Sequence, residues 1–199
     1  MKDLEFVTKS SGSLFLSRGE ESASIRIVLP RPSGIKPPRT EETISILNAL
    51  LGPAKVKVEA TAWSPDTNYV MVVMEEGFSR EDLEAIEIPG QAVVALSLAK
   101  EEPISGVVVT CKGERGVDIL SRFFGPWIGI PEDSVTGSAH AMLGPYWADR
   151  LGRSKLSARQ CSKRGGELEL DVLEEGVRLT GSATIVVEGK IKATNNAAN

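Results

Sequence analysis

The stretch GSAHAMLGPYWADRL, residues 137–151, decides how this chain is read. Ala139, Met142, Leu143, Tyr146 and Trp147 recur at i, i+3, i+4, i+7 and i+8, the repeat that gathers apolar side chains on one face of an α-helix. Gly152 supplies the stop signal, and Pro145 predicts a kink. The apolar stripe is wide and carries large aromatics, so this helix is expected to pack against a sheet rather than lie on a wet surface.

The segments around it alternate with period two. In residues 166–172, Leu168, Leu170 and Val172 face one way and Glu167, Glu169 and Asp171 the other, the pattern of a half-buried strand. A turn at Glu174, Glu175 and Gly176 leads into residues 177–180, and Gly181-Ser182 separates these from residues 183–188, so the C-terminal part predicts a meander of short antiparallel strands. Further strands are expected over residues 4–8, 13–16, 24–29, 55–62, 69–74, 91–98, 106–111 and 116–123. Two more helices are expected. Over residues 41–51, Ile44, Leu47 and Leu51 share a face, with Thr40 as the cap and Gly52-Pro53 as the stop; over residues 79–86, Ser79 and Asp82 form a capping-box-like pair and Leu83 and Ile86 the apolar side. Prolines at 30, 32, 37 and 38 discourage both helix and central strand. The domain division that follows is 1–29 as appended strands, 30–39 as a Pro-rich linker, 40–192 as a compact unit and 193–199 as a disordered tail.

With 23 basic and 27 acidic side chains in 199 residues, the net charge of −4 excludes a polybasic nucleic-acid surface as the default reading. The longest apolar runs are strand-length, which argues against a membrane partner. Two cysteines, Cys111 and Cys161, make no disulfide framework, and no secretory leader opens the sequence, so a cytoplasmic setting is expected. A single histidine and two separated thiols make no metal cluster of usual spacing, and no metal or cofactor is expected.

Candidate chemistry centres on residues 131–140. The free NH groups at a helix start form a cradle for a carboxylate or phosphate, and Gly137 permits close approach. Asp133 stands just outside, placed to exchange a proton with the bound molecule. From spacing alone the same residues read better as a plain helix start, with Thr136 or Ser138 as cap and Asp133 complementing the dipole, because caps vastly outnumber catalytic sites. His140 reads either as a neutral imidazole offered to a ligand or as a buried, satisfied histidine. Arg164, beside Gly165 and Gly166, reads either as an anion clamp or as an exposed basic turn. Cys161 reads better as a small buried hydrophobe than as a nucleophile.

SRFFGPWIGIPEDSVTGSAH at residues 121–140, GPYWADRLG at 144–152, ARQCSKRGGEL at 158–168 and LTGSATIVVEG at 179–189 together resemble the phenazine-biosynthesis-like (PhzF) family. The opening LEFVTKSSGSLFLSRG and IRIVLP resemble strands that close the family's first lobe, so the likeness covers nearly the whole chain. It implies an α+β fold: one diaminopimelate-epimerase-like lobe, an antiparallel barrel-like sheet around the helix at 137–151, plus strands left from a second lobe. It implies a cofactor-independent isomerase or epimerase that moves a proton on a small carboxylate-bearing substrate, with Asp133 as the acid/base. Gly137 and Ser138 match its substrate contacts, and Thr136, Ala139, His140, Arg164, Gly165 and Gly166 complete the candidate binding set.

Two departures from the family pattern matter. Ser134 stands where the family usually has proline, which is expected to free the loop and loosen the carboxylate. The first lobe's early part, with its central helix, a Gly-His pair and the glutamate taken as the principal base, has no counterpart here, so a fragment, a split form or a short protein is expected, poor as an isomerase alone. The alternative is a non-catalytic binding or interaction protein that retains the fold. Apolar surface uncovered by the missing part is expected to drive homo-oligomerisation.

Overall fold

The computed structural model describes residues 4–9, 12–19, 23–36, 58–87 and 104–190. The expected helix at 41–51, the strand at 91–98, the tail and part of the Pro-rich stretch lie outside them. The described strands are β1 (Leu4–Val7), β2 (Ser13–Arg18), β3 (Ser24–Leu29), β4 (Val58–Ser64), β5 (Tyr69–Met74), β6 (Gly106–Lys112), β7 (Ile119–Gly125), β8 (Ile130–Asp133), β9 (Lys155–Gln160), β10 (Gly166–Val172) and β11 (Val177–Ser182), with helices α1 (Arg80–Glu84) and α2 (Gly137–Leu151). They form one 11-stranded sheet in the order β1-β2-β3-β11-β10-β9-β7-β6-β5-β4, with β8 on the side of β7.

The centre of the sheet is apolar on both faces. YVMVVM of β5 and GVVVTCK of β6 are buried almost throughout, the composition of strands covered on two sides. Because side chains alternate, Val70, Val72, Val107, Val109 and Leu120 share one core with Leu83 and Ile86 around α1. Met71, Val73, Val108, Ile119 and Phe123 share the other with Ala139, Met142, Leu143 and Trp147 of α2, joined by Leu156, Leu170 and Leu179.

The antiparallel expectation is corrected here, since the sheet is mixed. β5 pairs β6 in parallel and β7 pairs β9 in parallel; the other neighbours are antiparallel. The reason is the connections: α1 lies between β5 and β6, and α2 between β7 and β9. A crossover that contains a helix returns the chain to the same end of the sheet, whereas a tight turn cannot. The strand expected over 183–188 is also absent. β11 runs through Gly181 to Ser182, and the last backbone bond joins Ala183 N to Ala23 O at 3.0 Å. Beyond it Ile185, Val186 and Val187 are more than four-fifths exposed, at 85, 88 and 85%.

α2 runs from Gly137 to Leu151 without a break at Pro145, and Gly152 ends it in the left-handed conformation at φ 67°. Trp147 is buried, its Nε1 donating to Thr110 Oγ1 at 3.0 Å. Gly144 faces β10 and β11, where a Cβ would lie 3.2 Å from Val177 and 3.3 Å from Val172, so the helix sits close on the sheet. At α1 the Ser79 and Asp82 capping box forms as its spacing predicts, and the Ser79 hydroxyl and amide hold the Asp82 carboxyl below its ordinary range.

Candidate functional site

Among the described residues β8 is a four-residue strand paired only with β7, and Pro131 is tolerated there because its missing N–H falls on a sheet margin. It delivers Asp133 to the mouth of α2. Asp133 Oδ1 accepts from Ser134 N at 2.7 Å and Oδ2 from Thr136 Oγ1 at 2.7 Å. The expectation that Ser134 loosens the carboxylate is therefore reversed: its backbone N–H, which a proline would lack, donates to one carboxylate oxygen. Ser162 Oγ also donates to Ser134 O at 2.8 Å and fixes the loop from the other side.

The turn after β9 and the loop before α2 meet. Gly165 N donates to Ser162 Oγ at 3.1 Å, with Gly165 at φ +70°, a conformation that favours glycine. Gly166 lets Val135 approach, since a Cβ there would lie 2.4 Å from Val135 Cγ2. Arg164 is exposed on this turn. Gln160 is buried beneath both segments, its Nε2 donating to Asp133 O at 2.7 Å and its Oε1 accepting from Thr136 N at 2.8 Å.

Thr136 is the N-cap of α2, yet its side chain makes no cap hydrogen bond. The first helical bond, His140 N to Thr136 O at 3.2 Å, leaves the NH groups of Gly137, Ser138 and Ala139 without an intrahelical acceptor. Ser138 Oγ lies 3.1 Å from the Tyr69 hydroxyl. Ala139 is buried. The direction a Gly137 side chain would take leads to Leu179 and Leu29, at 3.3 and 3.5 Å, so its smallness serves the packing of α2 on β3 and β11.

His140 is placed inward, in the core beneath the start of α2. Its ring is fully buried, Nδ1 donates to Thr136 O at 2.7 Å, and Nε2 lies 3.5 Å from Ser121 Oγ. Burial pushes its pKa below the ordinary 6.5, which keeps the imidazole neutral. Of the expected set, the structure thus brings together Asp133, Thr136, Gly137, Ser138 and the Arg164 to Gly166 turn. Gln160 and Tyr69 were missed as site residues. Gln160 occupies the inward phase of β9 with Leu156 and Ala158, and a carboxamide at the end of a buried alternation is the signal that marks it. Tyr69 opens an apolar strand and carries no local sign of its contact with Ser138. Among the described residues no group of three or more His, Cys, Asp or Glu side chains is arranged to hold a metal ion, and no helix is long and apolar enough to cross a membrane.

The family described as phenazine biosynthesis-like protein matches residues 2–189. The chain belongs to that family. Phenazine biosynthesis-like domain-containing protein 2 of Mus musculus is 37% identical over 197 residues, which span 96% of this chain and 65% of that protein. An uncharacterized isomerase of Pseudomonas aeruginosa is 38% identical over 189 residues, 95% of this chain and 64% of that one. The crystal structure of a phenazine biosynthesis PhzC/PhzF protein from Clostridium difficile superposes with a TM-score of 0.75 at 25% identity, covering 97% of this chain and 66% of the other. This phenazine biosynthesis-like chain therefore spans just under two thirds of the length of the relatives it matches.

Proposed function

We propose that the chain is a PhzF-like isomerase lobe, in which Asp133 exchanges a proton with a small carboxylate-bearing substrate held at the N-terminus of α2. The observation that carries the reading is the anchoring of Asp133 by two donors beside an uncapped helix start. A carboxylate with fixed oxygens is pre-aimed, and a helix start with free NH groups favours an anion. Isomerase-named relatives in the family point the same way. No cofactor is called on, because a base that removes a proton and an acid that returns one suffice for this class of reaction. In this reading the lobe is the sheet wrapped on α2, with β1 to β3 as strands shared with a second lobe, in a cytoplasmic protein.

Moving a proton between two positions needs two groups, and Asp133 supplies one. We place the other on the part of the relatives that this chain does not span. The test is solvent deuterium incorporation into a panel of small carboxylates. The chain alone is expected to show little exchange, and adding the remaining part of the Pseudomonas aeruginosa relative as a separate polypeptide is expected to restore it. Asp133→Asn should then reduce exchange by about 10²- to 10⁴-fold, the usual contribution of a positioned acid/base group. Full exchange by Asp133→Asn would overturn the assignment, and rapid exchange by the chain alone would overturn the need for a second part.

A further inference from the structure

Gln160 closes β9 at 1% exposure, and both N–H donors and the oxygen of its carboxamide are used on the loop that carries Asp133. Nε2 donates to Asp133 O at 2.7 Å and to Thr136 Oγ1 at 3.2 Å, while Oε1 accepts from Thr136 N at 2.8 Å. A flipped amide would set N–H against N–H and oxygen against oxygen, so the network admits one orientation. Thr136 has a single hydroxyl proton, and it goes to Asp133 Oδ2 at 2.7 Å. Its lone pair receives the Gln160 N–H. The chain of donation therefore runs Gln160 to Thr136 to Asp133, and it ends on a carboxylate oxygen.

This explains why Thr136 is an N-cap that does not cap. A threonine at that position ordinarily accepts from an NH of the first helical turn. Here the hydroxyl is drawn the other way, and the helix start has no side-chain cap. We infer that Gln160 is a positioning residue, which sets the Thr136 rotamer and through it aims Asp133 while leaving the start of α2 open. Its importance for proton transfer rests on the reading of Asp133 given above; the positioning itself rests on the hydrogen bonds.

The experiment measures the Thr136 χ1 rotamer by three-bond N–Cγ2 and C′–Cγ2 scalar couplings, in the full chain and in Gln160→Met, which conserves volume and removes every polar contact. The wild-type couplings should report one rotamer. Gln160→Met should show couplings averaged over at least two rotamers, with Thr136 amide exchange faster by about tenfold for the lost acceptor. Should Gln160→Met fail to fold, Gln160→Leu likewise removes both donors and the acceptor with little change in volume, and the same averaging is expected. Unchanged single-rotamer couplings in the folded variant would overturn the positioning role. No substrate enters the measurement, so failure of the Asp133→Asn experiment would remove the acid/base reading and leave this result standing.

Discussion

Enclosing the His140 imidazole in the core is tolerable while the ring is neutral and unfavourable once it is charged. Its folded pKa lies below the ordinary 6.5 because of burial, which outweighs the opposing bond to Thr136 O. Below pH 6.5 the unfolded chain therefore binds a proton that the folded chain refuses, and stability must fall as pH falls. The expected loss approaches about 1.4 kcal/mol per pH unit beneath that point. Because this is the only histidine, its ring Cε1–H resonance can be followed without ambiguity. It should hold its neutral position through pH 6.5, and a midpoint at or above 6.5 would contradict the burial argument. The thiols behave alike: burial pushes Cys111 up to about 12 and raises Cys161 as well, which suits Cys161 as a packed hydrophobe.

At the scale of elements, α1 has five residues, too few to hold itself together, and Arg122 of β7 is what secures it. Its Nη1 reaches the carbonyls of Leu83, Glu84 and Ile86 at 3.0, 3.1 and 2.6 Å, at the C-terminal end of the helix where carbonyls run short of intrahelical donors. Nε pairs with Glu132 at 2.7 Å, and the guanidinium lies 4.7 Å from the Phe124 ring centre. A cation at a helix C-terminus also complements its dipole. One buried side chain thus ties α1 to β7 and to β8, the strand that bears Asp133. Arg122→Met should cost about 2–4 kcal/mol in urea unfolding, as expected when one member of a largely buried pair is removed. The amides of α1 should lose exchange protection before those of β6. A loss below about 0.5 kcal/mol would show that α1 is held by its apolar contacts alone.

For the whole molecule, the sheet face that covers α2 continues into β1 and β2. Leu4, Phe6, Leu14 and Leu16 lie on one side of that hairpin, in register with each other and, through Leu16, with Ile27. Phe6 is 52% exposed and Phe15, on the other side, 58%. Apolar surface of this kind drives association, so light scattering should give a mass that rises with concentration toward a dimer or larger species. Phe6→Ser with Phe15→Ser should shift it toward the monomer. A constant monomeric mass across concentrations would remove the proposal of association.

What the sequence determined by itself was local and periodic. The run from Gly137 to Leu151, the alternation of residues 166–172 and the Ser79 box each carry their own signal within a dozen residues, and each formed where it was expected. The spacing of EDSVTGSAH placed Asp133 beside a helix start for the same reason. Tertiary structure decided what depends on partners far along the chain. Parallel pairing of β5 with β6 and of β7 with β9 follows from how crossovers return, and among the described residues 183–188 pair with no strand despite their β-branched composition. Gln160 lies 27 residues from Asp133 and Tyr69 lies 69 from Ser138, separations at which no sequence period survives. Ser134 shows the difference most sharply. By composition it frees a loop that proline would stiffen, and in the fold its amide holds the carboxylate, because a hydrogen bond depends on where the chain places the donor and not on how freely it moves.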